Sequence, residues 1–256
     1  SATPGSTVDN FGTITSGKNS IGVYSDTGSV SNNGVINIGE SGVGIYSSGG
    51  IVDLNAGSTI NMGTNGAVGV YGLSAIVSNW SNLNVGDGNY GFILNEGMFM
   101  NKLGTSSTLG SDSVYMYSTG PATVINDGDI LMTGSDNVGF YMDKNSAGVG
   151  AYMINTTGNS IIGTTGKNNV GIYNYGGMVE NYGIVSVGDS GLKLIPGTSD
   201  IDVEKSKYSV GIYGENSTII NYPSGLITAR YGGFGIVAKG GAAYNFGNII
   251  TNGDHS

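Results

Sequence analysis

Hydrophobic and polar positions alternate along short stretches of the chain, and this pattern restarts every 22 residues or more. In the stretch Val35–Ile38, for example, Ile36 and Ile38 fall on one face. A period of two, carried by β-branched residues and bounded by Gly, Asn and Ser, predicts short β-strands. Glycine makes up 48 of the 256 residues. This content disfavours helix, because each Gly costs about 1 kcal/mol relative to Ala in a helix.

The alternation belongs to a repeat in which an apolar residue precedes Asn by two positions and Gly-Ile-Tyr or a variant follows. Three strands and three turns fit into the minimum unit of 22 residues. Such a unit cannot satisfy its own backbone groups, but stacked units pair with one another about 4.8 Å apart. The sequence therefore predicts an all-β fold, a single-stranded right-handed parallel β-helix (solenoid) of about nine to ten coils. The apolar residues that start the units are Val8, Val30, Val52, Val77, Phe99, Val124, Met153, Val179, Ile219 and Ala243.

The repeat extends over nearly the whole chain, so residues 1–256 are interpreted as one β-helical domain, a fragment of a longer protein. Two segments depart from the repeat. A charged loop is predicted at 192–208 and a smaller insertion at 143–152.

Two columns of buried residues are expected. Asn at the bend of each unit predicts a ladder of stacked amides. In the third unit Leu54 takes the Asn position and Asn55 follows, which predicts a bend shifted by one residue. The second column consists of apolar pairs expected to face inward together: Ile21/Val23, Val43/Ile45, Val68/Val70, Tyr90/Phe92, Val114/Met116, Val138/Phe140, Val170/Ile172, Val210/Ile212 and Phe234/Ile236.

The composition narrows the classes of partner. The net charge of −9 disfavours nucleic acid and direct insertion into anionic membranes. The chain has no Cys, which removes disulfides and thiolate metal sites. No apolar run approaches the roughly 18 residues of a membrane span. No Gly-Gly-x-Gly-x-Asp calcium repeat is present, and no metal or cofactor is expected.

The unit Val-x-Asn-x-Gly-x-Ile followed by Gly-Ile-Tyr resembles the repeats of passenger domains in type V autotransporters, in particular those of large fusobacterial outer-membrane adhesins. The resemblance covers about residues 8–253. It implies display on the cell surface, with the protein anchored in the bacterial outer membrane by a C-terminal translocator outside this chain. It also implies adhesion to a protein or glycan on host cells or other bacteria. It implies no catalytic residues.

Two groups of residues are candidates for binding. The Tyr that follows Gly-Ile is expected opposite the buried pair, where a stripe of rings could stack on sugars or anchor a protein. Cross-coil stabilisation of the fold, or rings turned inward, remain open as alternatives. The stripe comprises Tyr24, Tyr46, Tyr71, Tyr117, Tyr141, Tyr173 and Tyr213.

The charged loop is the other candidate, since loops on a solenoid often carry specificity, although a tolerated surface insertion would look the same. Its candidate residues are Asp200, Asp202, Glu204, Lys205, Lys207 and Tyr208. Acidic residues also recur in one turn, where a solvated edge is favoured over a cation site. They are Glu40, Asp87, Asp112, Asp136 and Asp189.

Three functions follow as hypotheses. The first is an adhesin rod that attaches non-covalently, and the second is a stalk that only separates other domains. The third is a polysaccharide-active β-helix enzyme, which needs neighbouring acids beside a base. Arg230 is the only Arg and His255 the only His. No catalytic residues are therefore assigned, and the protein is not expected to be an enzyme.

Overall fold

The computed structural model describes residues 5–253, so His255 lies outside the described residues. This part of the chain forms 24 β-strands and no helix. The strands are β1 Thr7–Asn10, β2 Thr13–Ser16, β3 Ile21–Asp26, β4 Ser29–Asn32, β5 Val35–Ile38, β6 Val43–Ser48, β7 Ile51–Leu54, β8 Thr59–Met62, β9 Val68–Asn79, β10 Tyr90–Asn101, β11 Ser106–Leu109, β12 Val114–Thr119, β13 Thr123–Asn126, β14 Asp129–Met132, β15 Val138–Asp143, β16 Tyr152–Asn155, β17 Ser160–Gly163, β18 Val170–Tyr175, β19 Met178–Asn181, β20 Ile184–Val187, β21 Val210–Asn221, β22 Leu226–Ala229, β23 Phe234–Asn245 and β24 Asn248–Thr251.

The strands stack in parallel as a solenoid of about ten coils, which confirms the predicted fold class. A complete coil has a first, a second and a third strand, such as β3, β4 and β5. First and second strands share one 15-stranded sheet, and β9, β10, β21 and β23 run through both positions. Third strands form a six-stranded and a three-stranded sheet. Within residues 5–253, no helix is long and apolar enough to cross a membrane.

Each strand pairs with the equivalent strand of the next coil at matching repeat positions. Val8 pairs with Val30, and Asn10 pairs with Asn32. Because parallel pairing places equivalent residues next to each other, the inward apolar positions of the strands become columns of Val, Ile, Leu, Phe and Met along the rod. Ile36, Ile45 and Val52 illustrate the columns of the third, first and second strands, and each is almost fully buried.

The predicted inward pairs are half wrong. The second member of each pair lies in the inward column of the first strands, but the first member is not part of the contiguous hydrophobic core. Seven of the nine first members are half-buried or exposed, including Ile21 and Phe234. The inward position beside Ile45 is occupied by Gly44 instead. A Cβ there would lie 2.6 Å from the carbonyl oxygen of Gly69 and 2.8 Å from Ile38 Cδ1. Side chains of the third strand already fill this space, so Gly faces inward and Val43 faces outward.

The asparagine ladder is present at the end of the second strands. From Asn79 onward, each Nδ2 donates to the Oδ1 of the Asn in the next coil, at 2.7 to 3.0 Å, as far as Asn245. Asn10 donates to Asn32 in the same way at 2.8 Å. A buried amide needs a partner, and a parallel stack supplies one from an identical residue.

Leu54 interrupts this ladder without shifting the bend, so the predicted one-residue shift is wrong. Leu54 pairs in register with Asn32 on one side and Asn79 on the other. It is fully buried. Asn55 points outward and donates to Ser31 Oγ and Asn33 Oδ1. The backbone pairing therefore holds the register, and Leu replaces the amide with apolar contact.

A second polar column runs along another corner, directly before the first strand of each coil. Here a backbone N–H donates to a side-chain oxygen of the next coil at 2.9 to 3.3 Å. Because this column contains both Asn and Ser, the repeat pattern in the sequence does not reveal it. The accepting side chains are those of Asn89, Ser113, Asn137, Asn169 and Ser209.

Two consecutive strands, β11 and β12, exchange a small and a large residue across the core. Tyr115 in β12 occupies the inward position that is Gly in eight other coils, and it is fully buried. In β11, the third strand of the preceding coil, Ser107 replaces the Ile, Leu or Val that the third strand carries elsewhere. The Tyr115 hydroxyl reaches the ladder, where it accepts from Asn79 Nδ2 at 3.0 Å and donates to Asn101 Oδ1 at 2.8 Å. The missing volume of Ser107 therefore gives the ring its space.

Candidate functional site

The outward side chains of the first strands form a face rich in aromatic residues, here called the tyrosine face. Its central column contains the seven tyrosines predicted from the repeat, paired in register from Tyr24 to Tyr213. Ile93 interrupts the column between Tyr71 and Tyr117. Tyr24 is 43% exposed, and the six others are half-buried. The rings therefore lie on the surface and are not turned into the core.

The rings of this column form two stacks. Tyr24, Tyr46 and Tyr71 stack at 5.4 Å between successive centroids, with 6° between planes. The second stack has four rings, Tyr117, Tyr141, Tyr173 and Tyr213, at 4.5 to 5.3 Å. The separation follows the coil spacing of about 4.8 Å, so the backbone sets it. Stacking stabilises the coils and also leaves the outer edges of the rings in a row.

The first members of the mispredicted pairs form an apolar column beside the tyrosines. Val138 and Val170, for example, lie half-buried next to Tyr141 and Tyr173 in the same strands. By the coil spacing, the nine coils of this face extend about 40 Å. In contrast, the outward face of the early third strands is polar and carries bonded side chains such as Asn37 and Asn61.

Burial raises the pKa of Tyr117, Tyr141 and Tyr173, and the carboxylate of Asp143 adds to the effect at each. Their hydroxyls consequently remain protonated near neutral pH. They can donate as well as accept hydrogen bonds, while the rings offer apolar faces and edges.

The charged loop folds as an exposed hairpin on the side of the rod. Gly191 bridges Lys207, and Leu194 bridges Ile201, both in antiparallel pairing. Lys207 Nζ lies 2.7 Å from Asp136 Oδ1, two coils away. Of the loop's predicted binding residues, only Tyr208 reaches the tyrosine face, at the Phe234 end of its apolar column. Asp200, Glu204, Lys205 and Lys207 are exposed, Asp202 pairs with Lys205, and the ring of Tyr208 contacts that of Phe234.

In the smaller insertion, only positions 146–149 are exposed. Asn145 closes this tip by donating from its backbone to Val149 O at 2.9 Å.

Local backbone conformation and hydrogen bonds explain why acidic residues recur in this turn. Asp112 and Asp136 have φ of 55° and 59°, and equivalent corner positions carry Asn or Gly. Among L-residues, Asn and Asp tolerate this left-handed conformation best. Asp87 accepts from the backbone N–H of Ser111 at 2.6 Å, and Glu40 pairs with Lys18 at 2.8 Å. Residues 5–253 contain no group of three or more His, Asp or Glu side chains that could hold a metal ion.

The described surface has no enclosed pocket, and its candidate sites are open faces and the hairpin. The fold thus defines this chain as a parallel β-solenoid with one aromatic face. No family model and no curated protein matches the chain. One solved structure similar to it is the TibC-catalysed hyper-glycosylated fragment of TibA, at 16% identity over 96% of this chain and 99% of that chain. The TM-score is 0.17, and at that value the similarity does not assign a family or a function.

Proposed function

We propose that this chain is an adhesive segment of a surface-displayed passenger protein and that it binds its partner through the tyrosine face. The partner would be a protein or glycan on host cells or on other bacteria. The observation that carries the proposal is the continuity of this face over nine coils, with stacked rings beside an apolar column.

A flat aromatic face supports adhesion for two physical reasons. Tyr rings bury a large apolar area with little loss of conformational entropy, and their hydroxyls add directional hydrogen bonds. The rigid solenoid fixes the spacing of these rings before contact, which lowers the entropy cost of binding an extended partner. The proposed attachment is non-covalent and requires no catalytic group or cofactor.

The test compares matched variants of the two kinds of face. Tyr141 and Tyr173 are replaced together by Thr, which keeps the β propensity of the strands. The control replaces Asn37 and Asn61 by Thr on the polar face. Binding of the fluorescent fragment to epithelial cells and to co-aggregating bacteria is measured after circular dichroism has verified the fold.

We expect the tyrosine variant to lose about tenfold in binding, in line with loss of two aromatic anchors, and the control to retain it. Pretreatment of the cells with periodate or with protease then separates a glycan from a protein partner. A folded wild-type fragment that binds none of these cells would instead favour the spacer hypothesis. Equal binding by both variants would remove the tyrosine face from the proposal and leave the hairpin.

A further inference from the structure

The outward side of the second strands carries a cluster that differs from the tyrosine face. We call it the Glu180 cluster, and it consists of Glu180, Tyr152, Tyr182 and Tyr222. Tyr152 donates its hydroxyl to Glu180 Oε2 at 2.9 Å. Tyr182 donates to the same oxygen at 3.3 Å, and Tyr222 donates to Oε1 at 3.4 Å. One carboxylate thus accepts hydrogen bonds from three tyrosines that belong to three successive coils.

Glu180 lies between two aliphatic residues of its column, unlike Asp9 and Asp53, which pair with Ser31 in the same column. It pairs in register with Ile154 in the preceding coil and with Ile220 in the following coil. A charge between two aliphatic residues loses hydration, and no gain in packing offsets this cost. The three hydroxyls replace part of the lost water. Among residues 5–253, none of the four ion pairs includes Glu180.

Aromatic rings frame the carboxylate. Tyr182 and Tyr222 stack at 4.2 Å between centroids with 7° between planes. Further along the same face, Tyr244 is 52% exposed and Phe246 is 64% exposed. The three hydroxyls point at the carboxylate, whose negative charge attracts a cation, while the rings supply apolar surface around it.

From this geometry we infer that the Glu180 cluster binds a basic side chain, Lys or Arg, of a protein partner. Charge complementarity supports this occupant, since the carboxylate forms no ion pair with any of residues 5–253 and the whole chain carries a net charge of −9. The aliphatic stem of Lys or Arg would lie on Ile154, Ile220 and the Tyr rings, while its charged end reaches Glu180. This site lies on the second strands and does not depend on the tyrosine face.

The test uses end-blocked peptides that carry one Lys or one Arg between two leucines, and the same peptide with acetyl-lysine. Affinity for the full fragment is measured by fluorescence anisotropy at low and at high salt. The variant Glu180→Gln keeps the shape and removes the charge. The matched control is Glu40→Gln, a Glu of a corner turn that already pairs with Lys18 at 2.8 Å. Thermal unfolding verifies that both variants fold.

We expect the Lys and Arg peptides to bind, and we expect high salt to weaken this binding. The acetyl-lysine peptide should not bind. E180Q should weaken binding about tenfold, and E40Q should leave it unchanged. Tyr182→Phe combined with Tyr222→Phe should give a smaller loss, because the rings remain. Equal binding of the acetylated peptide, or full binding by E180Q, would overturn the inference. Displacement of the peptide by a neutral oligosaccharide would also overturn it, since the face would then be a glycan site.

Discussion

The exchange between Tyr115 and Ser107 gives a quantitative test of how the core is packed. Tyr115→Gly restores the residue that eight other coils carry, but it removes a ring that is fully buried. Loss of a buried aromatic costs about 3–5 kcal/mol of unfolding free energy. The ladder itself survives, because Asn79 still donates to Asn101 at 3.0 Å. The expected cost is therefore a cavity cost, with little added from unpaired amides.

The partner change, Ser107→Ile, restores the aliphatic residue usual for the third strand. With Tyr115 present there is no room for it, and overpacking costs about 1–3 kcal/mol. In the double variant the Ile fills the space that the ring has left, as in the neighbouring coils. We expect the double variant to be more stable than Tyr115→Gly alone, with a favourable coupling of about 2–3 kcal/mol.

The assay is urea unfolding of the wild type, both single variants and the double variant, followed by circular dichroism and by fluorescence of Trp80. Coincident curves from the two probes establish that a single transition is observed, which is needed because solenoids can unfold in parts. If the losses of the single variants simply add in the double variant, the two positions do not exchange volume, and the account of this coil is refuted.

Three further predictions concern facing, pH and the hairpin. Ile45→Asp should lower the free energy of unfolding by about 4 kcal/mol or more, since Ile45 is fully buried, whereas Tyr46→Ser should lower it by about 1 kcal/mol. The reverse order of the two urea midpoints would contradict the inward position of Ile45 and the outward position of Tyr46. Burial raises the pKa of Tyr115, so this tyrosine ionises at a lower pH in the unfolded chain than in the folded one. The free energy of unfolding should therefore stay constant below about pH 10 and fall above it, and it should fall less steeply in Tyr115→Phe. A urea midpoint that stays constant up to about pH 11 would argue against this. Deletion of 196–207 should leave the melting temperature nearly unchanged, because the exposed ion pair of Lys207 and Asp136 contributes little to stability. The deletion should also reduce any adhesion that the tyrosine variant retains. Loss of the fold on deletion would show instead that the hairpin covers and stabilises the rod.

The sequence was sufficient for the solenoid because parallel stacking repeats every inward position. The Asn and Tyr columns followed directly, since each is occupied by the same residue in most coils. The facing of Val43 was not predictable from alternation, because Gly44 and Ile45 both face inward. A period-two pattern fails at such a bend. Position 44 must be Gly because the Ile38 side chain, from a different strand, occupies the space that a side chain there would need.

Features that join different positions of neighbouring coils were also missed. The Glu180 cluster combines residues 152, 180, 182 and 222, which occupy three different repeat positions. Tyr115 and Ser107 depart from the repeat in opposite senses, eight residues apart. A large residue at a Gly position, preceded by a small one in the third strand just before it, is a signal that could have revealed this exchange.

The asparagine ladder has a consequence for how such a rod can change over generations. Successive ladder positions lie as few as 22 and as many as 40 residues apart, yet the amides return to the same column each time. The longest addition leaves the rod as a surface loop between Gly191 and Lys207. Insertions and duplications can therefore diversify what the surface presents while the cross-section of the rod is inherited unaltered.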